Sequence, residues 1–462
     1  IGPNAGPISG ESMANLATQA LNNLQVISQA LESGELQRAS TILNALHPAE
    51  VATLLESVPY SQRSYIWNTL DPDDLGEILL LVGEEVRSGL IKNMNQDEML
   101  SATEGLELDD LADLLADLPE AVALSALSSM SIRDRQRVES VLSFDEESAG
   151  GLMNTDTVTV RKEVTIDVVL RYLRARDELP AHTDNLFVVD QNDHYIGSLP
   201  LTSVLTSDPS HVVLDLMEDS IDPLLHSLSN KEVAMRFEAL DLVTAPVIDE
   251  DNKLIGRITI DDVVDVIREE GEHSVMSMAG LTEEEDLFAP VTQSTRRRAL
   301  WLGVNMATAF LAAWVISLFQ STLEELIVLA VLVPVVASMG GIAGSQTLTL
   351  VIRGIALDQI GPANSKILIW RELAIGALNG VVWAVIVGLI AYLWFGNLQL
   401  GWVMGLAMIA NLVCAGLAGV LIPIALRRYG IDPALAGGVV LTTITDVVGI
   451  FAFLGLATVL LI

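Results

Sequence analysis

The chain has 462 residues, 51% of them hydrophobic, and a formal net charge of −35 at pH 7. Residues 1–298 carry 54 Asp and Glu against 20 Lys and Arg, whereas residues 299–462 carry only 6 and 5. The acidic part would repel a phosphate backbone, which argues against nucleic acid and favours small cations or simple solubility. The single cysteine, Cys414, excludes an internal disulfide framework.

The N-terminal part of the chain predicts a helical domain. Residues 1–10, IGPNAGPISG, are interpreted as a tag remnant or a disordered tail. Within residues 11–150, segments such as LHPAEVATLLESVP and LELDDLADLLADLPE open with Pro or acidic residues and continue with apolar residues at helical spacing. Their similarity suggests stacked helix hairpins in a superhelical arrangement, with an irregular period.

Residues 151–262 contain an internal repeat with an offset of 59 residues. LFVVDQNDHYIGSLPLTSVL begins at Leu186, and APVIDEDNKLIGRITIDDVV begins at Ala245. Each copy predicts a strand, a polar turn, a second strand with Gly, and a helix. This α/β arrangement resembles a tandem pair of CBS domains, which implies binding of ATP or another adenine nucleotide. The family's Thr-x-x-Asp pattern is present as Thr259 and Asp262, whereas the first copy has Pro200 in place of Thr.

Two predicted helical faces carry carboxylates at i, i+3 and i+7 spacing: Asp110, Asp113 and Asp117 on one, and Asp262, Asp265 and Glu269 on the other. Like charges at this spacing repel, and a bound Mg²⁺ or Ca²⁺ would relieve the repulsion. The alternative is an ordinary solvated acidic face, which composition alone would produce.

Five apolar runs follow residue 298, and each is longer than the ~20 residues that a helix needs to cross a bilayer. They comprise residues 299–320, 326–352, 373–395, 400–426 and 433–462. Four runs carry no charged side chain, and the fifth carries only Asp446. The pattern predicts an all-α membrane domain of five helices.

The basic residues near the runs predict the orientation. Eight lie on one side of the predicted membrane: Arg296, Arg297, Arg298, Arg353, Lys366, Arg371, Arg427 and Arg428. The loops on the other side carry neither Lys nor Arg. The positive-inside rule therefore places the acidic region in the cytoplasm, and five spans place the C-terminus outside.

The second run contains PVVASMGGIAGSQTLTL, residues 334–350. Its Pro and Gly residues fit either a broken helix that lines a wet cavity or tight helix packing through the GxxxG of Gly340 and Gly344. Asp446 in the fifth run costs ~2.5–3.5 kcal/mol at the centre of a membrane. Asn411 or the hydroxyls at 442, 443 and 445 could satisfy it, but the pattern favours a cation site in a pore.

The whole arrangement resembles the MgtE family of magnesium transporters from about residue 30 to the end. The resemblance rests on EESAGGLM at 146–153, the CBS-like repeat, RRRALWL at 296–302, PVVASMGGIAGSQ at 334–346 and DPALAGGVVLTTITDVVG at 432–449. It implies a multidomain membrane protein that is not an enzyme, with helical (11–150), CBS (151–262), connecting or plug helix with linker (263–298) and transmembrane (299–462) domains. It further implies a homodimeric, multi-pass channel for Mg²⁺ uptake down its gradient in the lipid of a bacterial plasma membrane.

The resemblance also implies site residues. Asp446 would hold a hydrated Mg²⁺ in the pore, with backbone carbonyls near Gly340, Gly341, Thr442 and Gly449 completing the outer shell. Intracellular Mg²⁺ would bridge sensor carboxylates and hold the plug helix closed. The expected sensor residues are Asp109, Asp110, Asp113, Asp241, Asp262, Asp265, Glu270 and Asp432.

The sequence departs from the family pattern at four positions. Ile342 replaces an Asn in the second span. His273 and Ser274 stand on the connecting helix where acidic residues are expected. Lys231 lies in the second CBS copy, where an acidic residue would favour Mg²⁺ binding. These changes predict weaker or shifted closure by Mg²⁺. The alternative function is a membrane-anchored CBS nucleotide sensor without transport. We find no Walker loop, His-rich metal motif or nucleophile–base pair that would indicate an enzyme.

Overall fold

The computed structural model describes residues 41–176, 179–219, 221–282, 285–357, 359–361 and 363–462. The predicted tail at 1–10 and the start of the predicted helical domain at 11–40 lie outside the described residues. The chain forms two compact units. The first extends to Gly271 and includes Glu284–Pro290, and the second comprises Glu272–Glu283 and Val291–Ile462.

The first unit begins with short helices that end at polar or proline-containing turns. They are α1 (Pro48–Glu56), α2 (Tyr60–Trp67), a 3₁₀ turn (Pro72–Asp74), α3 (Leu75–Leu81), α4 (Glu84–Ile91), α5 (Gln96–Ser101), α6 (Leu108–Asp117), α7 (Glu120–Ser129) and α8 (Ile132–Val141). His47 and Asn95 form capping boxes that satisfy free N–H groups at the starts of α1 and α5. Leu55, Leu79 and Leu114 are fully buried in the shared core.

Two three-stranded sheets with the same topology follow. The elements are β1 (Thr159–Arg161), α9 (Ile166–Arg174), β2 (Asn185–Val189), β3 (Tyr195–Pro200), α10 (Leu201–Thr206), α11 (Val213–Leu216), β4 (Leu224–Leu225), α12 (Asn230–Leu240), β5 (Thr244–Ile248) and β6 (Leu254–Thr259). In each sheet the first strand pairs parallel to the second, and the second pairs antiparallel to the third. The sequence repeat therefore corresponds to a structural repeat.

Backbone hydrogen bonds join the two sheets in a symmetric way. The amide of Tyr195 donates to the carbonyl of Asn252 at 3.0 Å, and the amide of Leu254 donates to the carbonyl of Asp193 at 3.0 Å. These two bonds are related by the same 59-residue offset as the sequence repeat. Asp193 and Asn252 both adopt positive φ, 65° and 63°, in their turns, as short polar side chains tolerate. The repeat thus folds as a pseudo-symmetric pair.

A single helix, α13 (Ile260–Met278), follows β6 and runs from the first unit into the second. The second unit then contains α14 (Val291–Ser317), the short α15 (Gln320–Glu325), α16 (Val328–Ala356), α17 (Ser365–Phe395), α18 (Leu398–Arg428) and α19 (Pro433–Leu460). Among the described residues, five helices are long and apolar enough to cross a membrane: α14, α16, α17, α18 and α19. The most buried of these is α18.

The predicted fold class is confirmed: a helical N-terminal part, two small mixed sheets and five long apolar helices. For the second apolar run, the sequence allowed either a broken helix or tight packing through small residues, and α16 supports tight packing. It continues without interruption through Pro334 and the glycines. A Cβ on Gly344 would lie 2.9 Å from the Leu441 side chain, so the small residues permit close packing of α16 against α19.

Candidate functional site

Asp446 faces a cavity of about 880 Å³ between α16 and α19. The lining residues are Ala337, Ser338, Gly341, Ile342, Ser345, Gln346, Thr349, Leu350, Thr442 and Asp446. All but the last two lie on α16, and together the set contains one carboxylate, one carboxamide and four hydroxyls. This combination offers oxygen ligands and hydrogen-bond acceptors, which hard cations and their water shells prefer.

The polar side chains on α16 form a stripe along one face of the helix. Ser338, Ser345 and Thr349 recur at intervals of four to seven residues, and all three are exposed in the protomer. Hydroxyl groups on a spanning helix are more favourable against water or another polar surface than against hydrocarbon. Ile342 occupies the same face and is 57% exposed, so one apolar side chain interrupts the stripe.

Asp446 has no hydrogen-bond donor among the described residues, because the groups that could satisfy it are used elsewhere. The Thr442 hydroxyl donates to the carbonyl of Gly438 at 3.0 Å, and the Thr445 hydroxyl donates to that of Leu441 at 3.1 Å. Thr443 likewise donates to a carbonyl of its own helix. The half-buried carboxylate is therefore open to the cavity, and the alternative of a neighbour-satisfied Asp446 has no support here.

The four predicted backbone positions of the site separate into two pairs. Gly341 and Thr442 line the cavity with Asp446. Gly340 and Gly449 are buried and face Asn411 on α18 instead. Asn411 itself donates to the carbonyl of Val336 at 2.6 Å. Because Gly340 and Gly449 have no side chains, the amide of Asn411 fits between their backbones, behind the cavity wall.

Glu372 is a buried carboxylate that sequence reasoning missed. The sequence predicted a span from 373, but α17 already begins at Ser365, which places Glu372 inside the helix. It is 7% exposed and accepts a hydrogen bond from the Thr347 hydroxyl on α16 at 3.0 Å. The available signal was the position of this Glu directly before the uncharged apolar run that begins at residue 373.

In the first unit, four of the predicted sensor carboxylates lie near one another: Asp109, Asp110, Asp113 and Asp262. Burial raises the pKa of Asp109 to about 6. Burial and neighbouring carboxylates raise the pKa of Asp110 to about 7 and that of Asp113 to about 7. Burial and the negative charges of Asp109 and Asp261 raise the pKa of Asp262 to about 8. The α6 helix and the start of α13 thus hold repelling charges together.

Neutral donors relieve part of this repulsion. Asn154 Nδ2 donates to Asp109 Oδ1 at 3.1 Å and to Glu107 Oε2 at 2.9 Å. Within the described ranges, however, no three His, Cys, Asp or Glu side chains are close enough to hold a metal ion directly.

The other predicted sensor residues have partners or backbone conformations of their own. Asp241 ends α12 in a left-handed conformation with φ 52°. Asp265 lies 3.4 Å from Arg268, and Glu270 Oε2 lies 2.6 Å from Lys231 Nζ. Asp432 accepts hydrogen bonds from the amides of Ala434 and Leu435 at the start of α19, and its Oδ2 lies 3.4 Å from His273 Nε2.

Thr259 and Asp262 contact each other at the start of α13. The Thr259 hydroxyl donates to Asp262 Oδ2 at 3.0 Å and also contacts Asp261. The amide of Thr259 donates to Asp262 Oδ2 at 3.3 Å. Both side chains stand where the strand β6 gives way to the helix, so a ligand hydroxyl could exchange for the bond between them.

Comparisons with known proteins match three family descriptions along the chain. "Divalent cation transporter" (MgtE) matches residues 333–456, "MgtE intracellular N domain" matches 46–147, and "CBS domain" matches 149–209 and 213–269. The matched regions correspond to the described membrane helices, the helical part and the paired sheets.

The relatives found include two magnesium transporters named MgtE. The one from Bacillus subtilis (strain 168) is 26% identical over 428 residues, covering 93% of this chain and 95% of the relative. The one from Thermus thermophilus is 28% identical over 441 residues, covering 94% and 98%. A crystal structure of the cytosolic domain of the Mg²⁺ channel MgtE with ATP is 28% identical and covers 53% of this chain and 99% of that one, with a TM-score of 0.47.

Proposed function

Because the chain belongs to the MgtE family of magnesium transporters, which are not enzymes, we propose that it is a Mg²⁺-selective channel with Asp446 in its pore. The observation that carries the proposal is a carboxylate inside a membrane span that has no hydrogen-bond donor among the described residues and faces a cavity lined by hydroxyls. A passive anchor needs no such group, because a central carboxylate costs free energy on insertion. Uptake follows the electrochemical gradient.

The cavity fits a hydrated ion better than a dehydrated one. Mg²⁺ exchanges its water reluctantly and usually keeps several water ligands. Asp446 supplies charge, whereas Ser338, Ser345 and Thr442 offer oxygen atoms that can accept hydrogen bonds from the water shell. Ca²⁺ prefers flexible direct coordination by oxygen ligands, so a site that contacts the ion through its water shell favours Mg²⁺.

The exposed polar stripe on α16 supports a homodimer. In one protomer Ser338, Ser345 and Thr349 are exposed on a spanning helix, where contact with lipid would be unfavourable. A second copy facing the same surface would enclose the stripe and place two Asp446 carboxylates around one path. The pair would then offer a formal charge of −2 to a divalent cation.

The test is Mg²⁺ flux into liposomes that contain the purified full-length protein. Asp446→Asn should abolish flux while the protein still assembles. Thr442→Val and Thr443→Val form a matched pair on the same helix turn: only Thr442 lines the cavity, so only its replacement should reduce flux. Flux that persists in Asp446→Asn would contradict the pore assignment. An inactive wild type would favour the alternative of a CBS sensor without transport.

We place the regulation in the cluster of Asp109, Asp110, Asp113 and Asp262. The raised pKa values mean that burial and neighbouring carboxylates disfavour the ionised forms of these four side chains at neutral pH. A hydrated Mg²⁺ would stabilise their ionised forms and so hold α6 against the start of α13. At low intracellular Mg²⁺ the repulsion would separate them, which is a population shift by a ligand that prefers the compact state.

The connecting helix α13 would carry this change to the pore. Within the second unit, His273 on α13 lies 3.4 Å from Asp432 at the start of the pore helix α19. A movement of α13 that closes the pore would therefore act on the first turn of α19, the helix that carries Asp446. Asp241, Asp265, Glu270 and Asp432 remain the proposed further Mg²⁺ ligands.

The regulatory proposal is tested by flux at graded internal Mg²⁺. Asp262→Asn should raise the Mg²⁺ concentration that closes the channel, since it removes a carboxylate of the cluster. Asp97→Asn is the matched control, because Asp97 is exposed in the same helical part and lies outside the cluster. Equal closing concentrations in wild type and Asp262→Asn would remove the cluster from the mechanism.

An adenine nucleotide is the proposed second ligand, at Thr259 and Asp262. A ribose hydroxyl could take over the hydrogen bonds that these two side chains now make with each other. Calorimetric titration of the full-length protein with ATP measures this directly. Thr259→Val should weaken binding, and binding that is unchanged in this variant would place the nucleotide elsewhere.

The proposed orientation follows the positive-inside rule. The acidic first unit lies in the cytoplasm of a bacterial cell, and the C-terminus after α19 lies outside. Labelling by an impermeant thiol reagent tests this with a cysteine placed at the C-terminus, Ile462→Cys, and with Cys414 replaced by Ala. Labelling of intact cells is expected, and labelling only after lysis would reverse the orientation.

A further inference from the structure

Asn411 is a completely buried amide in the middle of the spanning helix α18. Its Nδ2 donates to the carbonyl of Val336 on α16 at 2.6 Å, whereas its Oδ1 has no hydrogen-bond partner among the described residues. A buried amide that is only half satisfied costs free energy relative to an apolar side chain. Helix packing alone would therefore be served better by an apolar side chain than by Asn411.

Two glycines hold this amide from opposite helices. A Cβ on Gly340 of α16 would lie 2.4 Å from Asn411 Nδ2, and a Cβ on Gly449 of α19 would lie 2.6 Å from the same atom. Real Cβ atoms do not approach so closely, so each helix meets the amide with its bare backbone. Asn411 therefore fixes the distance between α16 and α19 in the plane where it lies.

The same plane lies directly behind the cavity wall. Val336 and Gly340, which contact Asn411, are each followed by a cavity-lining residue, Ala337 and Gly341. On α19, Gly449 follows Asp446 by three residues, which is about one helical turn. The spacing that the amide imposes on the two helices therefore acts about one turn from Asp446 and influences the distance between Asp446 and the α16 residues that line the cavity.

We propose that Asn411 is a positioning residue that sets the width of the ion path, and thereby its selectivity for hydrated Mg²⁺. This inference rests on the proposed channel function. The amide acts as a spacer with one directional bond: its bulk keeps the glycine backbones apart, and its bond to Val336 keeps α16 from rotating. Without it the wall would be free to move, and a path of variable width would discriminate less well between ions of different hydrated size.

The experiment compares Mg²⁺ and Ca²⁺ flux in liposomes for wild type, Asn411→Ala, Gly340→Ala and the Gly340→Ala/Asn411→Ala double variant. In Asn411→Ala we expect the Mg²⁺-to-Ca²⁺ rate ratio to fall by at least ~5-fold, which at ~1.4 kcal/mol per tenfold is ~1 kcal/mol of discrimination. Gly340→Ala alone should lose most flux, because its methyl group clashes with the amide. The double variant should regain flux, because the methyl group then occupies space that the amide has vacated.

Recovery in the double variant distinguishes positioning from general instability, since two independently destabilising changes would add. Gly303→Ala is the control, because a Cβ there meets nothing within 4 Å on the spanning helix α14, and it should behave as wild type. The proposal is overturned if Asn411→Ala keeps the wild-type ion ratio, or if the double variant is no better than Gly340→Ala. Failure of the channel function itself would show differently, as absent wild-type flux or an active Asp446→Asn.

Discussion

The ammonium group of Lys231 lies 2.6 Å from the carboxylate of Glu270, so the chain neutralises one of its own predicted sensor residues. Lys231 is on α12 and Glu270 is near the middle of α13, and both side chains are about two-fifths exposed. A fixed cation at this place would compete with any divalent ion for the same carboxylate. The pair thereby provides a physical reason for the weaker Mg²⁺ closure that the sequence predicts.

Lys231→Glu should therefore increase the sensitivity of closure to Mg²⁺. The variant adds a second carboxylate beside Glu270 and removes the competing ammonium group. We expect the half-closing Mg²⁺ concentration to fall by ~3-fold, in keeping with the ~0.2–1 kcal/mol of an exposed ion pair. Flux at graded internal Mg²⁺ measures it. Lys253→Glu, with the same charge change on an exposed turn, should leave the closing concentration as it is in wild type.

The carboxylate cluster predicts how stability depends on pH. The folded-state pKa values of Asp110, Asp113 and Asp262, about 7, 7 and 8, lie above the ordinary 3.8. The folded protein thus binds more protons than the unfolded protein between pH 4 and 8, and stability falls as the pH rises through that range. Thermal unfolding of the full-length protein in detergent without divalent ions should show this decline.

Mg²⁺ should reverse the decline, because it stabilises the ionised carboxylates. We expect added Mg²⁺ to raise the unfolding temperature more at pH 8 than at pH 5.5, where protons already neutralise the cluster. Asp110→Asn/Asp262→Asn should flatten both dependences. An equal Mg²⁺ effect at the two pH values, or an unchanged profile in the double variant, would show that the cluster is not the binding site.

The fold was largely predictable because its signals are local and periodic. The 59-residue offset predicted two equivalent strand pairs, and the sheets confirm it down to equivalent register shifts after Val188 and Val247. Length and apolarity predicted five spanning helices. The predicted start of the third span, residue 373, was wrong by eight residues, because α17 begins at Ser365, and Glu372 therefore fell outside the predicted span.

Long-range side-chain partners could not be predicted. Asn411 contacts a carbonyl 75 residues away, and no periodicity in either helix encodes that pairing. Gly340 and Gly341 are neighbours of the same type in sequence, yet one packs on Asn411 and the other lines the cavity. Which face of a helix meets which partner depends on rotation about its axis, and apolar helices with residues of similar hydrophobicity on all sides carry little information about it.

Ile342 should limit the rate of conduction. Its side chain lies on the cavity face of α16 and is 57% exposed, but it has no atom that can hydrogen-bond to a hydrated ion. Ile342→Asn would complete the polar stripe between Ser338 and Ser345, and we expect Mg²⁺ flux to rise several-fold. Ile367→Asn, on the exposed side of α17, should bring no increase. A reduced flux in Ile342→Asn would mean that the apolar group is needed in the pore.

The segment before the first spanning helix is fastened by a buried ion pair. Arg63 donates to both carboxylate oxygens of Asp286, at 2.6 and 2.8 Å, and its Nε donates to the carbonyl of Leu55 at 2.7 Å. Both side chains are 4% exposed, and the amide of Asp286 donates to Glu85. Removing one partner from a buried pair typically costs ~3–5 kcal/mol, because the other charge stays buried without compensation.

Arg63→Ala should therefore release residues 285–290 from the helical part, and limited proteolysis of the full-length protein should detect faster cleavage there. Arg63→Met/Asp286→Leu should be cleaved more slowly than Arg63→Ala, because replacing both charges leaves none buried alone. Arg135→Ala removes an exposed pair with Glu139 in the same part of the chain and should leave the cleavage rate unchanged. If Arg63→Ala is cleaved no faster than wild type, other contacts hold the segment. Faster cleavage with altered Mg²⁺ closure would show that this attachment also influences the gate.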